Sequence, residues 1–227
     1  MSFKKRREDL VKTLISKGYL SSSKIIRSFR IVPREKFLPV NLKEKAYIDI
    51  PLSIGFKQTI SAPHMVAIMA EVSDFKNGNK ILEIGTGSGY NAAITAEIIC
   101  QTNDKNLGHV YTLEIIPELF SFAKKNIEKT NYNKKVTVIQ QDGSIGYAEE
   151  APYDRIIVTA AAPKAPTVLI EQLKPGGMLL IPVGDHYFFQ SLIKIKKNYD
   201  GSTVTENLGS VAFVPLTGKN GWKSSSY

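Results

Sequence analysis

The chain has 227 residues with 43% hydrophobic side chains. That is enough to bury one sizeable core, and no apolar run approaches the roughly 20 residues needed to span a bilayer. Cys100 stands alone, excluding an intrachain disulfide, and the charged opening Met1-Ser2-Phe3-Lys4-Lys5-Arg6-Arg7 has no apolar segment behind it, so a soluble cytoplasmic protein is expected. The net charge of +9 belongs to residues 1–60, with 14 Lys/Arg against 5 Asp/Glu, while the rest balances at 16 of each. Such a segment is either a solvated helical face or an attraction for an acidic partner.

Apolar residues at Leu10, Val11, Leu14 and Ile15 keep a helical period, which Gly18 stops. Ser21-Ser22-Ser23 offers capping hydroxyls for a helix over 24–30. Pro33 and Pro39 bracket a short segment, and Pro51, Gly55 and Pro63 punctuate a loop before a helix over 64–72. From Lys80 the pattern alternates. Strands are predicted over 80–84, 109–115, 135–140, 153–160 and 178–183, and helices over 91–100, 117–129 and 165–173, the last stopped by Pro175-Gly176-Gly177. A late antiparallel pair is expected over 188–196 and 204–214, with a turn near Asp200-Gly201. The division is an N-terminal helical and loop segment, 1–75, followed by an α/β core, 76–227, with a mainly parallel sheet and helices on both faces.

The run Glu83-Ile84-Gly85-Thr86-Gly87-Ser88-Gly89-Tyr90 leads a strand through glycines into a helix. Glycines let backbone approach a ligand, and parallel sheets bind ligands beyond the carboxyl ends of their strands. A dinucleotide fingerprint needs G-x-G-x-x-G. Here the third glycine comes one residue early and Tyr90 holds the last position, which argues against a nicotinamide-dependent oxidoreductase. Glu114 closes the next strand, where a carboxylate can accept ribose hydroxyls, and Asp142-Gly143 follows the third. The small run Thr159-Ala160-Ala161-Ala162-Pro163 can floor a pocket. His64, His109 and His186 are far apart and read as structural or surface residues. No Cys/His spacing suggests zinc, so no metal is expected, and Cys100 reads as a buried small hydrophobe.

The E-x-G-x-G-x-G spacing resembles the first motif of the Rossmann-like class I methyltransferases. The segments Val32–Pro39, Ala46–Leu52, Gln58–Met65, Leu82–Ala93, Tyr153–Pro163, Leu173–Gly177, Pro182–Gly184 and Phe213–Thr217 resemble, in order, the protein-L-isoaspartate (D-aspartate) O-methyltransferases. Gln58-Thr59-Ile60-Ser61-Ala62-Pro63 is the most specific of them. The resemblance implies methyl transfer from S-adenosyl-L-methionine to the α-carboxylate of L-isoaspartyl residues in damaged proteins and peptides. S-adenosyl-L-homocysteine is the other product, and the ester closes to a succinimide. It implies Ser61, Thr59 and Asp49 at the active site, carried by the N-terminal segment. Gln58, Glu83, Gly85, Thr86, Gly87, Ser88, Gly89, Glu114, Asp142 and Gly143 are then the expected cofactor contacts. Lys57 departs from the family, which usually has a small residue there, often glycine; four residues before Ser61, it is expected to attract the substrate carboxylate. An RNA methyltransferase with the same cofactor is the alternative that the basic N-terminus raises. The motif Asn/Asp-Pro-Pro-Tyr of amino-methylating enzymes is missing at 159–163, so neither nucleic acid nor a membrane is the expected partner.

Overall fold

The computed structural model describes residues 1–100, 107–185 and 189–223. His186, the expected strand start at Phe188 and the serines 224–226 lie outside the described residues. The elements, in chain order, are helices α1 (Phe3–Ser16) and α2 (Ser23–Ile31), two 3₁₀ turns (Arg34–Phe37 and Val40–Lys45), strands β1 (Leu52–Gly55) and β2 (Gln58–Ile60), and α3 (Pro63–Val72). The α/β part follows: β3 (Lys80–Ile84), α4 (Tyr90–Ile99), β4 (His109–Glu114), α5 (Pro117–Lys129), β5 (Val136–Gln140), β6 (Tyr153–Val158), α6 (Thr167–Glu171), β7 (Leu173–Gly184), β8 (Gln190–Lys197) and β9 (Thr203–Val211).

Seven strands form one sheet in the order β5-β4-β3-β6-β7-β8-β9. The first five of these strands pair in parallel and β8–β9 is the antiparallel pair, both as expected from the sequence, and β7–β8 is antiparallel as well. The chain runs outward from β3 to β5 and returns to β6 on the other side of β3. The strand order therefore reverses beside β3, where the glycine turn begins, and such switch points are where open α/β sheets leave a crevice.

Alternation along β3 decides the layers. Ile81 joins Val110, Val136, Ile157 and Leu180 in an apolar cluster with residues of α1 to α5. Leu82 and Ile84 join Leu113, Ile156, Val158, Leu179 and Ile181 in a second cluster that α6 covers through Leu169. Helices lie on both faces, unevenly. The N-terminal segment is welded to the core, since Leu10, Leu14, Phe29 and Phe37 share the first cluster with Ile94 and Ile127. Much of its basic charge is used internally: Lys5 pairs with Asp9, Arg6 with Glu44, Arg7 with Glu35, Arg27 with Glu97 and Arg30 with Glu8.

Two sequence expectations change. Pro175-Gly176-Gly177 does not end a helix: it is a bulge in β7, because β6 advances from Tyr153 to Arg155 while β7 advances from Leu173 to Met178. The expected helix over 165–173 shrinks to Thr167–Glu171. The expected loop around Pro51 and Gly55 is a β-hairpin, β1–β2. Its two tip residues, Phe56 and Lys57, both have positive φ, 53° and 56°. That is the requirement of a type I′ turn, usually met by Asn or Gly, and here met by side chains that resist it. A left-handed residue costs about 1–2 kcal/mol and Gly adds about 0.5–1 kcal/mol of unfolded-chain entropy. Lys57→Gly should therefore leave stability equal or raise it by up to about 1 kcal/mol, read as the denaturation midpoint; a clear loss would show that the lysine makes a compensating contact.

Candidate active site

The glycine turn is built by the sheet. The N–H groups of Gly85 and Thr86 both donate to the Leu113 carbonyl, at 2.9 and 3.1 Å, so the turn is pinned across β3 and β4. Gly85 has φ +90°, and a Cβ there would stand 2.5 Å from Thr159 Oγ1. Any side chain would both strain the backbone and fill the space in front of the strand ends. Gly89, in the left-handed region, starts α4. Tyr90 then turns away from the crevice. It is buried between Phe29 and Phe37, with ring centroids 6.5 and 5.6 Å away, which is why the dinucleotide pattern breaks here.

In front of the turn lies a cleft of about 560 Å³. Gly85, Gly87, Glu114, Gly143, Thr159 and Ala160 line it, as do Gln58 and Thr59 from β2. Glu114 is buried; its Oε2 accepts from the Gly87 N–H at 2.8 Å and its Oε1 from the Ile116 N–H at 3.0 Å. Glu114 lines the cleft, and a carboxylate has further acceptor capacity of the kind two ribose hydroxyls require. Burial pushes its pKa above the ordinary carboxylate value, while the backbone donors oppose that. Ile115, Ile116 and Leu119 add an apolar wall suited to a purine. The residues present fit S-adenosylmethionine.

Not every expected contact faces the cleft. Glu83 is buried behind the turn, accepting from Asn91 Nδ2 at 2.8 Å and Thr112 Oγ1 at 2.7 Å. Burial pushes its pKa up to about 7. It braces the turn and is absent from the cleft lining. Thr86, bonded to Thr112, and Ser88 line an adjoining cavity of about 420 Å³ together with Ser61. Asp142 accepts from the Ser144 N–H and the Lys219 N–H, so it ties down the C-terminal segment while Gly143 faces the cleft.

A groove of about 940 Å³ opens beside the cleft, lined by Ser61, His64, Met65 and residues 210–214. Thr59 and Thr159 line the cleft, the groove and the adjoining cavity alike, so they stand where the spaces meet. Among the described residues, no group hydrogen-bonds the hydroxyl of Ser61 or of Thr59; the Ser61 carbonyl alone is engaged, by Arg34. Asp49 lies outside the groove lining. Its Oδ1 accepts from the His64 N–H at 2.8 Å, capping α3, and from His64 Nδ1 at 2.9 Å, which fixes that ring at the groove.

His64, expected to be structural or surface, is tied to Asp49 and also lines the groove. His109 is structural, bonded to Thr137 Oγ1, and Cys100 is buried, its thiol donating to the Gly108 carbonyl. Val214, Pro215, Leu216 and Thr217 line the cleft and carry no chemical signature in sequence. Lys57 is placed at the hairpin tip, lining a separate hollow with Phe56 and Trp222, and does not line the groove of Ser61. Among the described residues no cluster could hold a metal, and no helix is long and apolar enough to cross a membrane.

The model of the family described as protein-L-isoaspartate (D-aspartate) O-methyltransferase matches residues 5–221. Two similar proteins, each named protein-L-isoaspartate O-methyltransferase, come from Staphylothermus marinus (53% identical, 97% of this chain and 98% of the relative) and Hyperthermus butylicus (51% identical, 97% and 92%). A Plasmodium falciparum structure described as a protein-L-isoaspartate O-methyltransferase, solved with S-adenosyl-L-homocysteine, superposes with a TM-score of 0.81. It is 30% identical, and the match covers 93% of this chain and 98% of that one.

Proposed function

Because the chain belongs to the protein-L-isoaspartate (D-aspartate) O-methyltransferase family, we propose that its glycine-turn cleft holds S-adenosyl-L-methionine and its groove presents an L-isoaspartyl α-carboxylate. The chain is a carboxyl methyltransferase acting on damaged proteins. The observation that carries the residue assignment is the meeting of cleft and groove at Thr59 and Thr159, with the Ser61 hydroxyl beside them.

When bound, S-adenosylmethionine supplies an electrophilic methyl on a sulfonium. Glu114 would hold the ribose hydroxyls and the Ile115–Ile116 wall the purine. The acceptor carboxylate, with a pKa near 4, is already ionised at neutral pH. No base is needed, which agrees with a site of hydroxyls rather than a nucleophile and its base. Ser61 and Thr59 donate to the carboxylate and turn one oxygen toward the methyl without adding a charge. Alignment of this kind lowers the barrier by several kcal/mol. His64, held by Asp49, borders the groove on the substrate side.

Ser61→Ala is expected to lower kcat on an isoaspartyl peptide by about 10–100-fold, with S-adenosylhomocysteine affinity kept within about twofold. The assay follows labelled methyl from S-adenosylmethionine onto the isoaspartyl peptide and its aspartyl counterpart. Transfer to both peptides alike would overturn the substrate assignment, and full activity of the variant would remove Ser61 from the mechanism.

A further inference from the structure

Arg34 is wholly buried, yet it lines none of the cavities described above. Its Nη2 donates to the Ser61 carbonyl at 2.8 Å and its Nε to the Ala46 carbonyl at 3.0 Å. The guanidinium carbon stands 4.9 Å from the centroid of the Tyr90 ring. Nη1 has no hydrogen-bond partner. No carboxylate forms an ion pair with this cation among the described residues, whereas its neighbour Glu35 pairs with Arg7 and accepts from the Tyr47 hydroxyl.

A buried cation with no carboxylate in ion-pair contact and with an orphan N–H is a poor stabiliser; Asp49 acts on it only from beyond ion-pair distance, and an apolar side chain of the same volume would avoid both costs. What a guanidinium adds is geometry. Its donors lie in one plane at fixed angles, and that plane can also stack on a ring. Here the plane touches the segment leading to Asp49, the segment carrying Ser61, and Tyr90, the first residue of the helix that follows the glycine turn.

We propose that Arg34 is a positioning residue: it holds the Ser61 backbone at a fixed distance from the glycine turn, and so aims the Ser61 hydroxyl at the junction of groove and cleft. This rests on the reading of Ser61 as the residue that orients the acceptor. Arg34 touches neither substrate nor cofactor. Its loss lets the Ser61 segment drift while Glu114 and the glycine turn, pinned across β3 and β4, stay in place.

The test uses Arg34→Met, Arg34→Lys, Ser61→Ala and the double variant Arg34→Met/Ser61→Ala, each assayed well below its melting temperature. Arg34→Met is expected to lower kcat by about tenfold or more, since a displacement of 1 Å can cost up to about 10²-fold, with S-adenosylhomocysteine Kd within about twofold of the parent. Arg34→Lys keeps a cation over Tyr90 and one donor, and should recover part of the loss. The double variant should be no slower than Ser61→Ala, because both changes remove the same orientation. An unchanged kcat in folded Arg34→Met, or losses that multiply in the double variant, would overturn the proposal. If Arg34→Met does not fold, Arg34→Lys decides: reduced kcat with unchanged cofactor Kd supports the role, and parental kcat overturns it. Should Ser61→Ala itself be fully active while Arg34→Met is slow, the reading of Ser61 has failed and not the placement of Arg34.

Discussion

Glu114→Ala is expected to weaken S-adenosylhomocysteine binding by about 10²–10⁴-fold, because each hydrogen bond to a buried carboxylate contributes about 1.5–3 kcal/mol. Two ribose hydroxyls are lost at once, and the Gly87 and Ile116 N–H groups lose their acceptor. Glu114→Gln keeps the shape but turns an amide N–H₂ toward one of those backbone donors, so an intermediate loss is expected. Affinity should also fall on acidification. Burial raises the Glu114 pKa, so the carboxylate takes up its proton at a higher pH than an exposed one does. Calorimetric titration of both variants, and of the parent from pH 8 downward, reads these effects. Unchanged affinity in Glu114→Ala would place the ribose elsewhere.

Glu83→Gln is expected to stabilise the protein at pH 8 and not at pH 5. Burial raises the Glu83 pKa from 4.5 to about 7. In the unfolded chain this carboxyl loses its proton near 4.5, while the folded protein keeps it to about 7. The folded state therefore binds more protons across that window, and this group's contribution is fully present below it and declines as pH rises through it. Above the window the accumulated cost is about 3 kcal/mol. Glutamine fills the same volume. Its oxygen can accept from Asn91 and its amide can donate to Thr112, whose hydroxyl then turns to Thr86. Denaturant midpoints at pH 5 and pH 8 should diverge for the parent relative to the variant. Parallel behaviour at both pH values would mean that the carboxylate is ionised without penalty.

The two carboxylates show how far sequence reading reaches into the site. Glu83 and Glu114 end neighbouring strands and look alike in sequence, both candidates for the cofactor. Pleating puts both on the same face, and position along the strand decides between them. Glu83 follows Leu82 on β3 and shares its face with Ile81, pointing under the turn toward Thr112. Glu114 ends β4 one residue beyond the level of Ile84 and clears the sheet into the cleft. Glu83 is level with Thr112, so Glu114 lies two residues further along, and that extra length separates a brace from a ligand contact. The contact between His64 and Asp49 is hidden differently. Fifteen residues part them, and they meet only because α3 begins where the 46–51 turn passes, so that one carboxylate caps the helix and holds the ring.

By itself the sequence determined what local chemistry controls. Alternation and 3.6-residue periodicity set the order of strands and helices from Lys80 onward. The glycine spacing made a strand-to-helix turn open to a ligand, while the Gln58–Pro63 segment pointed to the acceptor only through its resemblance to the family. Tertiary structure decided the rest. Strands of three and four residues with Phe56-Lys57 at their turn carry too little pattern to announce a hairpin, yet pairing makes one and brings Thr59 to the cleft. The meeting of Thr59 with Thr159, the hold of Arg34 on Ser61 and the cleft wall from Val214 to Thr217 join segments far apart in the chain. Those contacts follow from strand order and the packing of two apolar layers, and no short-range pattern encodes such long-range closure.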